Sequence, residues 1–152
     1  KACIIILNKY DLISKNKVIS RDYLLQTTRH ELIFLKDAPI LTTIAVNHKK
    51  DFLPVLQTIV ETFNKYSKKI PTPELNHFLQ KITNQRVPKL IKGRRLRFYY
   101  ITQTRTKPPS FSIFINEPKL LYNSYQRFLE NQFTQNFNLG GVPIIFDYKK
   151  SE

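Results

Sequence analysis

Residues 94–116 constrain this chain most. They read Arg-Arg-Leu-Arg-Phe-Tyr-Tyr-Ile-Thr-Gln-Thr-Arg-Thr-Lys-Pro-Pro-Ser-Phe-Ser-Ile-Phe-Ile-Asn. Two strand-like runs, 96–104 and 110–116, flank a turn at 106–109. Side chains alternate faces along a strand. In the first run Leu96, Phe98, Tyr100 and Thr102 share one face, which can be core. Arg95, Arg97, Tyr99, Gln103 and Arg105 fall on the other, with Ile101 the exception. Pro108 and Pro109 each lack a backbone donor, which suits a turn and not a central strand. A basic strand bearing aromatics is a surface for nucleic acid. A charge run also serves as the plain solvated face of a hairpin.

The charge balance extends beyond that hairpin. The 152 residues carry a formal net charge of +14. Such a field favours polyanions: RNA, DNA or an acidic membrane surface. No apolar run approaches the roughly 20 residues that span a bilayer. A hydrophobic fraction of 41% supports a packed core, in one ordinary domain or two small ones. The single cysteine, Cys3, has no internal partner, which fits a reducing compartment and an inert core thiol. His30, His48 and His77 are scattered, so no metal-ligand spacing exists.

The first part of the chain alternates strand and helix signals. Cys3-Ile4-Ile5-Ile6-Leu7 is apolar without alternation, like a strand covered on both faces. A helix is predicted over 20–35, with Leu24, Leu25, Leu32 and Leu35 at helical spacing. Ser20 is its N-cap, and Asp22 lies in the positive first turn. A strand is predicted at 39–46. A helix at 51–66 is predicted to bury Phe52, Leu53, Leu56, Ile59, Val60 and Phe63. This order implies a parallel sheet with covering helices. Two strands are too few for one, so residues 1–69 are expected to be the last part of a larger α/β domain.

The first strand leads into Asn8-Lys9-Tyr10-Asp11, an NKxD sequence. Open α/β sheets bind ligands at the carboxyl ends of their strands, which is where it sits. The Asp11 carboxylate can accept both the ring N–H and the exocyclic amine of guanine, a donor pair that adenine lacks. The Asn8 amide can bond the base edge or brace neighbouring loops, and the Lys9 stem can lie along the base. The same residues also suit a local Asx-type loop.

Lys68-Lys69-Ile70-Pro71-Thr72-Pro73 breaks helical continuity and marks a boundary near residue 70. A helix is predicted over 74–83, with Leu75, Phe78, Leu79 and Ile82 on one face, Thr72 as N-cap and Pro73 at its first position. No acidic residue lies between Glu74 and Glu117. After the hairpin, 120–133 is amphipathic through Leu121, Tyr125, Phe128, Leu129 and Phe133. Gly140-Gly141 punctuates, and a last strand is predicted at 142–148. Residues 70–152 therefore read α-β-β-α-β.

These segments resemble the Der (EngA) family of double-GTPase proteins that act in ribosome assembly. The resemblance covers nearly the whole chain. It is carried by Thr72-Pro73-Glu74-Leu75-Asn76, Lys92-Gly93-Arg94-Arg95-Leu96 and Tyr99-Tyr100-Ile101-Thr102-Gln103. It continues in Pro108-Pro109-Ser110-Phe111, Phe114-Ile115-Asn116-Glu117-Pro118, the run from Ser124 to Asn131, and Gly141-Val142-Pro143-Ile144. The resemblance implies the C-terminal portion of a P-loop GTPase, Rossmann-like α/β domain over 1–69. An α+β, KH-like domain then covers 70–152.

It also implies residue roles. Asn8, Lys9 and Asp11 match the fourth guanine-nucleotide motif. Ala45 matches the fifth, with Ile44 where such proteins usually have Ser. GTP or GDP is the implied ligand, with Mg²⁺ held by residues upstream of these. The chain has three glycines and no GxxxxGK[ST], so this stretch alone is not expected to hydrolyse GTP. The KH-like domain resembles the family in lacking the GXXG loop: Leu121-Tyr122-Asn123-Ser124 has no glycine. Phosphate contacts are expected instead from Lys92, Arg94, Arg95, Arg97, Arg105 and Lys107, while Tyr99 is expected to pack at the sheet edge. The implied partners are large-subunit ribosomal RNA and upstream GTPase domains, in a bacterial cytoplasm or an organelle matrix. The alternative is an interaction module whose KH-like domain docks on a GTPase domain and senses its nucleotide state without binding RNA.

Overall fold

The computed structural model describes residues 1–14, 20–35, 37–44, 52–91 and 93–151. It is mixed α/β, with small sheets of two, two and three strands. The chain divides into two units: Lys1–Lys65 with Gly140–Val142, and Tyr66–Leu139 with Pro143–Glu152. No helix among the described residues is long and apolar enough to cross a membrane.

In the first unit β1 (Ile5–Leu7) pairs in parallel with β2 (Ile40–Thr42), in the register Ile5↔Ile40 to Leu7↔Thr42. Between them lie the short α1 (Asp11–Ser14) and α2 (Arg21–Glu31). Ser20 caps α2 as its sequence position predicts: its Oγ accepts from the Tyr23 N–H at 3.1 Å. A 3₁₀ turn at Ile33–Leu35 follows, so the predicted helix 20–35 is shorter than its apolar spacing suggests.

Two burial expectations for this unit fail. The helix α3 (Phe52–Tyr66) forms, yet of its residues only Thr62 is buried. Phe52, Leu53, Leu56, Ile59, Val60 and Phe63 are all exposed, Phe52 at 59%. Helical periodicity identifies the apolar face, but burial also needs a covering element. Cys3 is likewise exposed, so it is no core thiol. One glycine of this unit is sterically required. Gly141 has φ +90°, and a Cβ there would lie 2.9 Å from the Asp37 carbonyl oxygen.

The second unit sets α4 (Thr72–Gln85) and α5 (Asn123–Asn136) against a three-stranded sheet of order β5-β6-β7. Before that sheet, β3 (Leu90–Ile91) and β4 (Arg94–Arg95) form a minimal hairpin, an addition to the predicted order. The sheet strands are β5 (Phe98–Thr106), β6 (Pro109–Ile115) and β7 (Ile145–Lys150). The β5–β6 pairing is antiparallel and β6–β7 is parallel. The N-cap of α4 is Pro71, not Thr72, with no side-chain cap bond.

The core of this unit is aromatic. Phe133 on α5 meets Phe78, Phe111, Phe137 and Phe146, with ring centroids 4.6–5.4 Å apart. Such pairs add edge-to-face attraction to the burial of apolar area. Tyr125 packs as expected: its ring is fully buried, and its hydroxyl donates to the Arg86 carbonyl at 2.7 Å. Burial pushes its pKa up to about 12; Tyr122 adds to that rise and Arg86 opposes it. Burial, followed by the nearby Glu130 carboxylate, also raises the pKa of Tyr148. The Tyr148 hydroxyl donates to Glu130 Oε1 at 3.3 Å.

The free edge of β5 is tied by two amide side chains. Asn76 accepts from the Ile101 N–H (3.0 Å) and donates to the Ile101 carbonyl (3.1 Å). Gln103 accepts from the Ile70 N–H and donates to the Lys68 carbonyl, each at 2.8 Å. The Asn76 bonds satisfy edge groups that would otherwise template pairing with another chain, and Gln103 ties β5 to the backbone of the segment before α4. They give a physical reason for the Asn and Gln in the Thr72–Asn76 and Tyr99–Gln103 signatures.

The face assignment along β5 is corrected. The ladder pairs Phe98 with Ile115 and Tyr100 with Phe114, so a bulge falls at Tyr99. One extra residue flips the side chains after it to the opposite face, until a second shift between Gln103 and Arg105 changes the register again. Ile101 is therefore core at 1% exposure, while Tyr100 is 43% exposed. Tyr99, expected to pack, is 53% exposed at the bulge.

Candidate nucleic-acid interface

The NKxD residues sit where parallel pairing puts them. Because β1 and β2 run in parallel, their following loops lie at the same end. The Thr43 N–H donates to the Leu7 carbonyl at 2.9 Å, and the Tyr10 N–H to the Thr43 carbonyl at 3.1 Å. Asn8 Oδ1 accepts from the Lys9 N–H (2.8 Å) and from Thr43 Oγ1 (3.3 Å). The Asn8 amide thus braces the two loops. Lys9 is held at φ +60°, a left-handed conformation rare for a residue with a Cβ. Asp11 opens α1. Ala45, the fourth residue assigned to guanine, lies outside the described residues.

The basic residues of the second unit fall into two groups. Arg94 and Arg95 form β4, and Arg97 follows it; all three are exposed. Gly93 turns the β3–β4 hairpin at φ +73°. Lys92 lies outside the described residues. Arg105 is exposed near the far end of β5, opposite Ser110, and Lys107 lies in the turn to β6. Eight residues of strand separate Arg97 from Arg105, about 25 Å at 3.2–3.4 Å per residue. The five described cations of the six expected to act together therefore fall at two separate places, one near each end of β5.

The Arg94–Arg97 group lines a cavity of about 490 Å³ with Leu90, Gly93 and Asn116. Asn116 organises it. Its Oδ1 accepts from the Arg97 N–H at 2.9 Å and from the Glu117 N–H at 3.0 Å. Its Nδ2 donates to the Arg95 carbonyl at 2.9 Å. One side chain therefore fixes the backbone that carries Arg95 and Arg97. Among the described residues none of the three arginines makes an ion pair. A concave surface lined by three arginine residues is suited to an oxyanion, since guanidinium donors match phosphate geometry. Sequence reading missed Asn116, because its role depends on a strand end 19 residues away; the only local sign was an Asn closing an apolar run.

Two helices on one face of a three-stranded sheet with a parallel last strand form a KH-like α+β domain. The family model for the KH-domain-like region of EngA bacterial GTPase enzymes, C-terminal, matches residues 69–149. The chain belongs to that family. It is similar to the GTPase Der of Caldanaerobacter subterraneus subsp. tengcongensis, with 41% identity over 150 residues, 99% of this chain and 34% of that protein. The GTPase Der of Desulforamulus reducens is 39% identical over 153 residues, 100% of this chain and 34% of its own length. That of Finegoldia magna is 38% identical over 149 residues, 98% of this chain and 34% of that protein. The chain thus spans about a third of the length of the curated relatives it matches.

Proposed function

We propose that this chain belongs to a guanine-nucleotide-dependent factor of large-subunit ribosome assembly. In this reading residues 1–69 are the C-terminal part of its second GTPase domain, and 70–152 are a KH-like domain facing ribosomal RNA. The observation that carries the RNA half is the arginine-lined cavity, without an ion pair among the described residues and held by Asn116. Nothing acidic interrupts the sequence from Leu75 to Asn116. Arg94, Arg95 and Arg97 hold phosphates at one end of the strand. Lys92 adds to them in the sequence, and Arg105 and Lys107 act at the other end. The setting is a bacterial cytoplasm or an organelle matrix.

The test is binding of the chain to large-subunit ribosomal RNA across a salt series. Phosphate contacts release counterions, so affinity is expected to fall steeply, with a log–log slope of roughly −3 to −5 for four to six contacts. A flat profile removes the RNA reading and leaves docking on a GTPase domain.

In the first unit Asn8, Lys9 and Asp11, with Ala45, hold the guanine of GTP or GDP. The loop bracing by Asn8 and Thr43 supports this. The bound nucleotide supplies a phosphate bond for hydrolysis, while these residues contribute recognition of the base. The phosphates and Mg²⁺ fall to parts upstream of these residues. In protein extended to the relatives' length, Asp11→Asn is expected to move preference from GTP to xanthosine triphosphate by orders of magnitude. Unchanged preference in a competition assay removes the guanine assignment.

A further inference from the structure

We infer that the face of the β5-β6-β7 sheet opposite the helices carries a stacking platform for an unpaired RNA base, centred on the exposed Tyr100 and the half-buried Phe114. The inference rests on the RNA reading above and specifies the kind of RNA. The helices cover one face of the sheet through Phe111 and Phe146, whose rings meet Phe133. Alternation along β6 then places Ser112, Phe114 and the following Asn116 on the other face. The bulge at Tyr99 brings Tyr100 onto that same face, opposite Phe114. The two rings are stacked, 4.2 Å between centroids and 14° from parallel. Tyr100 stays 43% exposed.

Charge selects the occupant. Asn116, two residues beyond Phe114, lines the arginine cavity, so that cavity borders the aromatic step on the same face. The strand rise puts them about 7 Å apart. At the other end Arg105 is paired with Ser110, also on this face. Lys149, opposite Phe114, is engaged by Asp147 at 3.4 Å, whereas among the described residues the arginines at the two ends make no ion pair. An aromatic step between two guanidinium groups suits a single strand: phosphates at the ends, a base on the rings. A duplex hides its base faces and gains nothing from the rings.

The experiment compares the full chain with Tyr100→Leu and Tyr100→Phe variants on an unstructured single-stranded RNA and a duplex of equal length. Melting curves of the variants confirm that both fold, and Phe114→Leu serves as a second ring deletion. Tyr100→Leu is expected to lose about 5- to 150-fold in single-strand affinity, the range for one stacked base. Its salt slope and duplex affinity stay unchanged, and Tyr100→Phe keeps full affinity. Unchanged single-strand binding by both ring-deletion variants, or equal loss on the duplex, overturns the platform. So does equal loss by Tyr100→Phe, which would make the hydroxyl the contact. A steep salt slope with no ring effect leaves the phosphate reading standing and removes only this one. Absence of RNA binding by the unaltered chain removes both.

Discussion

Phe133→Ala is expected to destabilise the second unit by about 3–5 kcal/mol, the cost of deleting a buried phenylalanine ring and leaving its cavity. The ring is 1% exposed and touches four others, from α4, β6, β7 and the end of α5. No small shift of one neighbour fills that volume, which places the substitution at the upper end of the range. A unit of this size has roughly 5–15 kcal/mol in total, so the variant is expected to be largely unfolded well below the parent's melting temperature. The control is Phe52→Ala on α3. It deletes the same side chain, but from a site 59% exposed, where at most about 1 kcal/mol is at stake. Urea unfolding followed by near-ultraviolet circular dichroism reads both. Equal losses in the two variants would mean that the aromatic cluster does not hold the unit together.

That contrast marks a boundary in what the residues disclose. Helical spacing located both α3 and α5, and for each it named an apolar face. For α5 the face is core, because β6 and β7 lie within the same unit to cover it. For α3 it is exposed. Periodicity is a property of the segment, whereas burial is a property of the segment and its partner. The Ser20 cap and the helix-to-strand order were legible because they depend on neighbours within a few residues. The β3–β4 hairpin, with strands of two residues, carries too little pattern to register.

The candidate site divides in the same way. Its charges were plain, since no acid interrupts the stretch between Glu74 and Glu117. Its geometry was hidden by two register shifts in the β5–β6 ladder, of which the bulge at Tyr99 matters most. Strict alternation put Tyr100 on the core face and left Ile101 as a misfit; the misfit was itself the sign of an irregular ladder. The extra residue at Tyr99 exchanges them, leaving an aromatic pair on the open face. The clasp by Asn116 and the edge ties by Asn76 and Gln103 are long-range hydrogen bonds. No local preference encodes them.

Reversing Arg94, Arg95 and Arg97 together to glutamate is expected to have the largest effect on binding. The change removes six units of charge, taking +14 to +8, so the chain remains cationic. A loss therefore separates a site from bulk attraction. The needed control reverses Lys1, Arg21 and Lys119, three exposed cations that do not line the cavity. If three phosphates are held at the cavity, the site variant's log–log salt slope is shallower by roughly 2–3, at 0.7–0.9 per contact. Its affinity in dilute salt is expected to fall on the order of a hundredfold or more, since new carboxylates repel the phosphates that guanidinium groups held. The control keeps the parent's slope and loses affinity only modestly through the weaker overall field. The side chains are exposed and Asn116 bonds the backbone there, so the fold is expected to survive the reversal. Equal behaviour of the two triple variants would show that the cavity holds no phosphate and that only net charge draws the RNA.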